Sequence, residues 1–168
     1  KEYRYFLCHK PSGIVTTQPQ GDEKDIVSTS KFPIKVFPIG RLDKESSGLL
    51  IMTNDGRITD DLLSPDKDHE KEYIVNVDKM VTRIFKEKME KGVLIGGDQK
   101  LDQYKTKPCK VQLIGDKSFS IILTEGKNRQ IRRMTEALGF KVMKLERTRI
   151  GKFMIGKLKP GEWREVKM

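Results

Sequence analysis

Cysteine is scarce in this chain, which has only Cys8 and Cys109 among its 168 residues. The two lie far apart, and no CxxC or cysteine–histidine spacing accompanies them. The sequence therefore argues against a zinc site, and we expect reduced, buried thiols in a cytoplasmic protein. No apolar run approaches membrane-spanning length and no signal-like segment is visible, so we expect no membrane association. P-loop and GxGxxG patterns are also missing, which argues against the common nucleotide-binding sites.

Acidic side chains are outnumbered in this sequence, with 24 against 34 basic ones and a formal net charge of +10. Much of the excess lies between Lys127 and Lys152, where nine basic residues are opposed only by Glu136 and Glu146. A charged surface that is merely solvated usually mixes both signs, so this segment predicts a polyanionic partner, with nucleic acid as the first candidate. No helix-turn-helix or zinc-finger pattern is present, so we do not expect DNA to be that partner.

Strand-like patterns outnumber helical ones along the chain. The apolar and alternating segments predict strands at residues 3–8, 49–52, 71–77, 107–114 and 118–123. Helical spacing predicts helices at residues 58–63, 81–89 and 128–138, while the polar stretch 16–30 is typical of a mobile loop. We find no repeat, low-complexity tract or linker. The sequence therefore predicts one α+β domain with a mostly antiparallel mixed sheet and flanking helices.

A polar segment with an arginine and an aspartate, Arg41 and Asp43, precedes the apolar run Leu49–Met52. Pro38 and Gly40 before it exclude regular structure, so the pattern is that of a charged loop anchored on a buried strand. Residue types alone leave three interpretations of Asp43 open. It could be a turn or helix-cap aspartate, it could orient Arg41 toward a phosphate, or it could be a catalytic carboxylate.

The predicted helix 128–138 has one apolar and one basic side. Asn128 can cap it and Gly139 can end it, and Ile131, Met134 and Leu138 fall together at about 100° per residue. The opposite side carries arginines and one glutamate: Arg129, Arg132, Arg133 and Glu136. This side could be an ordinary solvated face, but three arginines directly after a glycine-containing turn fit contact with RNA phosphates better.

Several ordered motifs resemble those of the pseudouridine synthases, in the branch that modifies ribosomal RNA. The segment GRLDKESSGLL at residues 40–50 resembles the catalytic motif of that family. Further matches are KPSG at 10–13, DHEKEYIV at 68–75, NRQIRRM at 128–134 and KLERTRI at 144–150. Matches in this order are far more specific than one short motif, and they favour the catalytic interpretation of Asp43.

The resemblance implies a reaction in which uracil is detached from its ribose, rotated and rejoined through carbon. No cofactor is implied, because substrate and product are isomers. By resemblance Asp43 is the catalytic carboxylate, acting as a nucleophile or as a base, and Arg132 is the arginine that pairs with it. Tyr73 matches the tyrosine that lies against the target uracil.

The resemblance also implies which residues contact the substrate. Leu145 matches an apolar residue on the other side of the base, although plain core packing explains it nearly as well. Arg41 matches a position that can fill the space left by the flipped base. The remaining predicted RNA-binding residues are polar or basic: Lys71, Asn128, Arg129, Arg133 and Arg147. His9 and His69 are interpreted as structural.

The nearest pattern belongs to enzymes of large-subunit RNA, so 23S ribosomal RNA is the expected substrate. That subgroup carries a small N-terminal RNA-binding domain of the S4 type, and we expect residues 1–168 to be the catalytic domain without it. With no sign of oligomerisation, a monomer is the default expectation.

A second hypothesis is a noncatalytic RNA-binding or ribosome-assembly module that retains the fold. The simultaneous presence of Asp43, Tyr73 and Arg132 favours an enzyme.

Overall fold

The computed structural model describes residues 2–58, 70–96 and 103–167. The chain divides into two compact units. The first comprises Lys1–His69 with Glu146–Met168, and the second comprises Glu70–Leu145. The helices among the described residues are α1 (Ile26–Ser30), α2 (Arg83–Lys91) and α3 (Gln130–Ala137), with a 3₁₀ turn at Gly56–Ile58. The strands are β1 (Tyr5–Lys10), β2 (Phe37–Ile39), β3 (Ser47–Thr53), β4 (Lys71–Val77), β5 (Leu94–Ile95), β6 (Tyr104–Lys105), β7 (Lys110–Gly115), β8 (Ser118–Leu123), β9 (Val142–Ile150), β10 (Phe153–Met154) and β11 (Trp163–Val166).

The sheet of the first unit has the strand order β11-β1-β3-β9. Strand β2 pairs with β3 and β10 pairs with β9, and both of these pairs are antiparallel. Strand β9 is parallel to β3, with Ser47 opposite Glu146 and Gly48 opposite Arg147. Because β1 also pairs with β3 and β11 in antiparallel fashion, the sheet is mixed but mostly antiparallel.

Strand β3 is buried along its whole length. Its alternate side chains enter two different hydrophobic clusters, one with Leu50 and Met52 and the other with Leu49 and Ile51. A strand covered on both faces needs an unbroken apolar run instead of alternation, which is what its sequence provides. The predicted buried strand at residues 49–52 is therefore confirmed, and it holds the segment before it in a fixed position.

The second unit is built on the antiparallel strands β4, β8 and β7. Strand β4 alternates, with Tyr73, Val75 and Val77 in the hydrophobic cluster of this unit and the residues between them more exposed. Helix α2 begins after Thr82, whose hydroxyl accepts a hydrogen bond from Phe85 N at 3.1 Å, and it ends at Gly92. These elements confirm the predicted strands at 71–77, 107–114 and 118–123 and the predicted helix at 81–89.

Three sequence predictions differ from the structure or lie outside it. The stretch 16–30 is not simply a loop, because Asp25 accepts a hydrogen bond from Ser28 N at 2.9 Å and begins α1. Asn128 does not cap α3; Arg129 precedes that helix in the left-handed conformation, and its side chain makes no capping hydrogen bond. Most of the predicted helix 58–63 lies outside the described residues.

The predicted fold class is confirmed, because the chain combines a mixed, mostly antiparallel sheet with helices in an α+β arrangement. None of the helices in the part of the chain that the structure describes is long and apolar enough to cross a lipid bilayer.

Replacing Gly48 with alanine should destabilise the protein strongly. A Cβ atom at this position would lie 2.2 Å from the Arg147 carbonyl oxygen, so the parallel pair of β3 and β9 would have to separate. We expect the free energy of unfolding, measured in urea, to fall by about 3 kcal/mol or more. Gly21→Ala is the matched control, since Gly21 also has a positive φ but nothing lies within 4 Å of its Cβ position. Equal losses for both variants would contradict this explanation.

Candidate active site

The loop between β2 and β3 carries the predicted catalytic residue of the first unit. Gly40 begins the loop with a φ of 81°, a conformation that a side chain would disfavour. Arg41 is exposed, Leu42 is buried in a hydrophobic cluster, and Asp43 is half-buried. The loop therefore presents two charged side chains on either side of one buried apolar residue.

Thr16 holds the loop beside Asp43. Its hydroxyl donates to the Leu42 carbonyl oxygen at 2.8 Å and accepts a hydrogen bond from Leu42 N at 3.0 Å. Thr16 is itself buried, so these bonds are shielded from water. Both backbone polar groups of the residue before Asp43 are thus fixed by one side chain.

The segment after β1 holds the other side of the loop. Gly13 N donates to the Lys44 carbonyl oxygen at 2.7 Å, and the Ser12 hydroxyl donates to the Glu45 carbonyl oxygen at 3.0 Å. Within the loop, Ser46 N donates to the Asp43 carbonyl oxygen at 3.0 Å. The backbone on both sides of Asp43 is consequently restrained by hydrogen bonds from the distant segment 12–16 and by one bond within the loop.

A fully buried lysine, Lys10, lies beneath the same loop. Its Nζ donates to the carbonyl oxygens of Pro11 at 2.8 Å, Lys44 at 3.3 Å and Ile14. Burial lowers the pKa of Lys10 from 10.5 to about 8, and the nearby negative charges of Asp43 and Glu45 act in the opposite direction. The ammonium group thus links three carbonyl groups and adds positive charge near Asp43.

The second unit contains the other residues predicted to be catalytic or to touch the base. Tyr73 on β4 and Leu145 on β9 both belong to the hydrophobic cluster of this unit. Arg132 is half-buried on α3, next to Ile131, which enters the same cluster. The structure therefore brings Tyr73 and Leu145 into one cluster, while the predicted pairing of Arg132 with Asp43 stays a prediction.

The residues predicted to bind RNA differ in their exposure. Arg41, Asn128 and Arg129 are exposed, and Arg133 Nη1 donates to the Asn128 carbonyl oxygen at 3.2 Å. These positions suit contact with a large ligand.

Two other residues of that set are buried. Arg147 is 4% exposed, and its Nε donates to the Leu49 carbonyl oxygen at 2.9 Å. Lys71 is 8% exposed. The sequence predicts RNA binding by Arg147, and in the structure its hydrogen bond to Leu49 joins residues 98 positions apart, a contact that has no local sequence signal.

Sequence reasoning missed Lys10 and Thr16 as residues that position Asp43. Lys10 stood in a recognised motif, so a local signal existed for it, but Thr16 lay in a stretch interpreted as mobile. His69 lies outside the described residues. Among the residues that the structure describes, no three histidine, cysteine, aspartate or glutamate side chains are grouped as ligands for a metal ion.

Comparisons with known proteins point to one family. A family model described as RNA pseudouridylate synthase matches residues 4–137. A "Dual-specificity RNA pseudouridine synthase RluF" from Escherichia coli (strain K12) is 46% identical over 161 residues, covering 96% of this chain and 53% of that protein. The chain thus spans about half the length of this curated relative. A "Ribosomal large subunit pseudouridine synthase B" from Bacillus subtilis (strain 168) is 35% identical over 96% of this chain and 67% of that protein.

Solved structures agree with this result. A crystal structure of a pseudouridylate synthase has a TM-score of 0.87 and 31% identity, covering 99% of this chain and 71% of that one. An archaeal box H/ACA sRNP Nop10–Cbf5 complex contains a chain with a TM-score of 0.59 at 20% identity, covering 94% of this chain and 51% of that one. The second similarity concerns the fold alone.

Removing the hydroxyl of Thr16 should loosen the loop that carries Asp43. In Thr16→Val the side chain keeps its shape, but Leu42 loses the partner of its N–H and of its carbonyl group. We expect the free energy of unfolding to fall by about 1–3 kcal/mol, because buried polar groups are left unpaired. Hydrogen exchange of the Leu42 amide should also become faster.

The control for this variant is Thr29→Val, which removes an exposed hydroxyl that donates only to the Asp25 carbonyl oxygen. Thr29→Val should leave exchange of the Leu42 amide unchanged. Unchanged exchange of that amide in Thr16→Val would show that Thr16 does not hold the loop.

Replacing Lys10 with methionine should reveal a pH-dependent contribution to stability. Near pH 7 we expect Lys10→Met to lower the free energy of unfolding by about 1–3 kcal/mol, because the carbonyl oxygens of Pro11, Ile14 and Lys44 lose this donor and the Lys44 oxygen keeps the one from Gly13 N. The folded-state pKa of Lys10 is lowered to about 8. Between about pH 8 and pH 10.5 the folded chain has therefore lost this proton while the unfolded chain keeps it. Stability of the parent should therefore rise relative to the variant between these pH values.

Urea unfolding at several pH values from 7 to 10.5 measures this difference. Lys35→Met, at an exposed lysine of the same unit, controls for the loss of one surface charge. A parent-to-Lys10→Met difference that stays constant over the range, or that shrinks, would contradict the role given to burial.

Proposed function

This chain belongs to the RNA pseudouridylate synthase family, and on that premise we propose that it converts a uridine of ribosomal RNA into pseudouridine. The observation that carries the proposal is the braced loop that holds Asp43 at the start of the buried strand β3. This loop lies within the residues that the family model matches. A carboxylate held in a braced loop beside a rigid strand but left accessible suits catalysis on a large substrate.

For the substrate we propose 23S ribosomal RNA. Two features support this choice. A relative that shares 35% identity with the chain is named as a large-subunit ribosomal pseudouridine synthase. The net charge of +10 also favours a polyanion, because cationic side chains that replace condensed counterions drive binding to nucleic acids.

In the proposed reaction the bond between uracil N1 and the ribose carbon C1′ breaks, and a bond between uracil C5 and C1′ forms. The hydrogen on C5 leaves as a proton, and N1 gains one, so no oxidant, reductant or cofactor is needed. Asp43 supplies the carboxylate for this exchange. Whether it attacks as a nucleophile or removes a sugar proton, it must be ionised and fixed in position.

Tyr73 and Arg132 complete the proposed catalytic set. We assign Tyr73 to the face of the target uracil, with Leu145 as the apolar contact from the same hydrophobic cluster. Arg132 is assigned the part of the family arginine that favours the charged form of the aspartate, since a nearby guanidinium stabilises a carboxylate.

The proposed RNA contacts come from exposed residues. Arg41 next to Asp43 is placed to enter space left by a flipped base. Asn128 and Arg129, on the turn before α3, are proposed to contact phosphates. Lys71 and Arg147 are buried, so we assign them support of the loops and not a primary contact with RNA.

Replacing Asp43 with asparagine should abolish the reaction while leaving RNA binding intact. The substitution keeps the size of the side chain but removes the ionisable carboxylate. We expect tritium release from ribosomal RNA labelled at uracil C5 to fall by at least about a hundredfold. Affinity for the same RNA, measured by filter binding at fixed salt, should change little. Asp22→Asn, at an exposed aspartate of the same unit, is the matched control.

Each outcome of this experiment has a distinct meaning. Equal release by the parent and Asp43→Asn would remove Asp43 from the mechanism. No release by the parent from either large-subunit or small-subunit RNA would overturn the proposed activity of this chain. Binding without release would then favour a noncatalytic RNA-binding module.

A further inference from the structure

The turn that precedes α3 is exposed and basic. Residues 126–129 are all exposed, and Lys127 and Arg129 give the turn two positive charges. Arg129 has a φ of 51°, in the left-handed region that residues other than glycine rarely occupy. A turn with this conformation needs surrounding contacts to hold it, because the isolated chain would favour other shapes.

A buried carboxylate, Glu125, stands directly before this turn. It is 6% exposed and accepts hydrogen bonds from the Tyr104 hydroxyl, from Lys107 N at 2.7 Å and from Gln130 Nε2 at 3.1 Å. Its acceptor atoms therefore meet three donors from separate parts of the second unit. Such a network is rigid when all its members are satisfied.

Gln130 carries this restraint into the turn. While its Nε2 donates to Glu125, its Oε1 accepts a hydrogen bond from Lys127 N at 3.1 Å. Gln130 N also donates to the Lys127 carbonyl oxygen at 3.1 Å. Gln130 is 3% exposed and its bond to Glu125 is buried, so that bond is protected from water. The backbone of Lys127 is thus fixed on both sides by one residue that is itself held by Glu125.

A cation–π contact orients Lys127, and the buried Lys71 lies beside the turn. Lys127 Nζ lies 4.7 Å from the centre of the Tyr104 ring, whose hydroxyl bonds to Glu125. That hydrogen bond raises the pKa of Tyr104, so the hydroxyl stays protonated as a donor. Lys71 Nζ lies 3.4 Å from the position that a Cβ of Gly126 would occupy.

We propose that Glu125, acting through Gln130, is a positioning residue that shapes the turn 126–129 into a binding site for RNA phosphate. This inference rests on the proposed function, because it takes RNA as the ligand of the exposed basic turn. Glu125 does not itself touch the substrate. Its role is to fix the backbone so that Lys127 and Arg129 meet phosphates without first having to become ordered, which lowers the entropic cost of binding.

The central test replaces Glu125 with methionine and, separately, with glutamine. Glu125→Met removes every acceptor, whereas Glu125→Gln keeps one and can reverse its bond with the Tyr104 hydroxyl. We expect Glu125→Met to raise KM for ribosomal RNA about tenfold with kcat within about twofold, and Glu125→Gln to stay within about threefold of the parent.

Salt dependence separates lost phosphate contacts from a general loss of stability. The slope of log K against log salt concentration reports the number of phosphates neutralised, at about 0.7–0.9 per contact. In filter binding to a large-subunit ribosomal RNA transcript, Glu125→Met should therefore show a slope smaller by about one contact. A purely structural role would lower the amount of folded protein and leave this slope unchanged.

The matched control is Glu90→Met. Glu90 also accepts a hydrogen bond from a backbone amide, Val111 N at 3.1 Å, and lies in the same unit on α2. Its loss should reduce stability in urea but leave KM and the salt slope unchanged.

A double mutant gives a second check, since Arg129→Met should cost much less affinity in the Glu125→Met background than in the parent.

Several results would overturn the inference. One is an unchanged salt slope in Glu125→Met, and another is full additivity of Glu125→Met with Arg129→Met. A third is a change in KM and salt slope for Glu90→Met equal to that for Glu125→Met. Tritium release by the parent tests the proposed activity independently, because the chain can be active even if the turn 126–129 does not bind phosphate. An inactive parent that still binds RNA would refute only the activity, and the slopes would still decide the role of Glu125. A parent that does not bind RNA would overturn both.

Discussion

The position of Asp43 depends on how the backbone of its loop is hydrogen-bonded. Polar groups that are buried without partners cost free energy, and the loop after β2 has no regular structure to supply them. The segment from Lys10 to Thr16 supplies hydrogen-bond partners for this loop. Thr16 forms hydrogen bonds with both backbone polar groups of Leu42, and Gly13 N donates to the Lys44 carbonyl oxygen. The buried strand β3 then fixes where the loop ends. The location of the carboxylate is therefore determined largely by residues outside its own loop.

The second unit uses the same physical arrangement for a different purpose. There an exposed basic turn is braced by the buried side chains of Glu125 and Gln130, just as the loop of Asp43 is braced by Thr16 and Lys10. Loops provide the exposure that binding a large ligand requires, and buried polar side chains provide the rigidity that loops lack. In both units the charged groups proposed to act on RNA are held by buried polar neighbours, which come from a distant segment for Asp43 and from the residues flanking the turn for Lys127 and Arg129.

Periodicity was sufficient to predict the strands β3 and β4, because burial on two faces or on one face leaves a direct pattern in the sequence. It could not reveal Thr16, since the bonds to Leu42 join residues 26 positions apart. The hydrogen bond from Arg147 to the Leu49 carbonyl oxygen is likewise long-range, since it joins residues 98 positions apart. The sequence thus predicts elements and their faces well, but the contacts that fix a site are long-range and leave no local signal.

Lys10 shows that positioning can outweigh the cost of burying a charge. Burial lowers its pKa to about 8, which means that the charged form is less favourable inside the protein than in water. Yet three carbonyl oxygens converge on the same point, and an ammonium group is the side-chain group that offers three N–H donors from one atom. An amide would supply two donors, and a guanidinium would spread its donors over a plane. One of the three carbonyl groups belongs to Lys44, the residue that follows Asp43, so the unfavourable burial of Lys10 fixes the backbone on which the carboxylate stands.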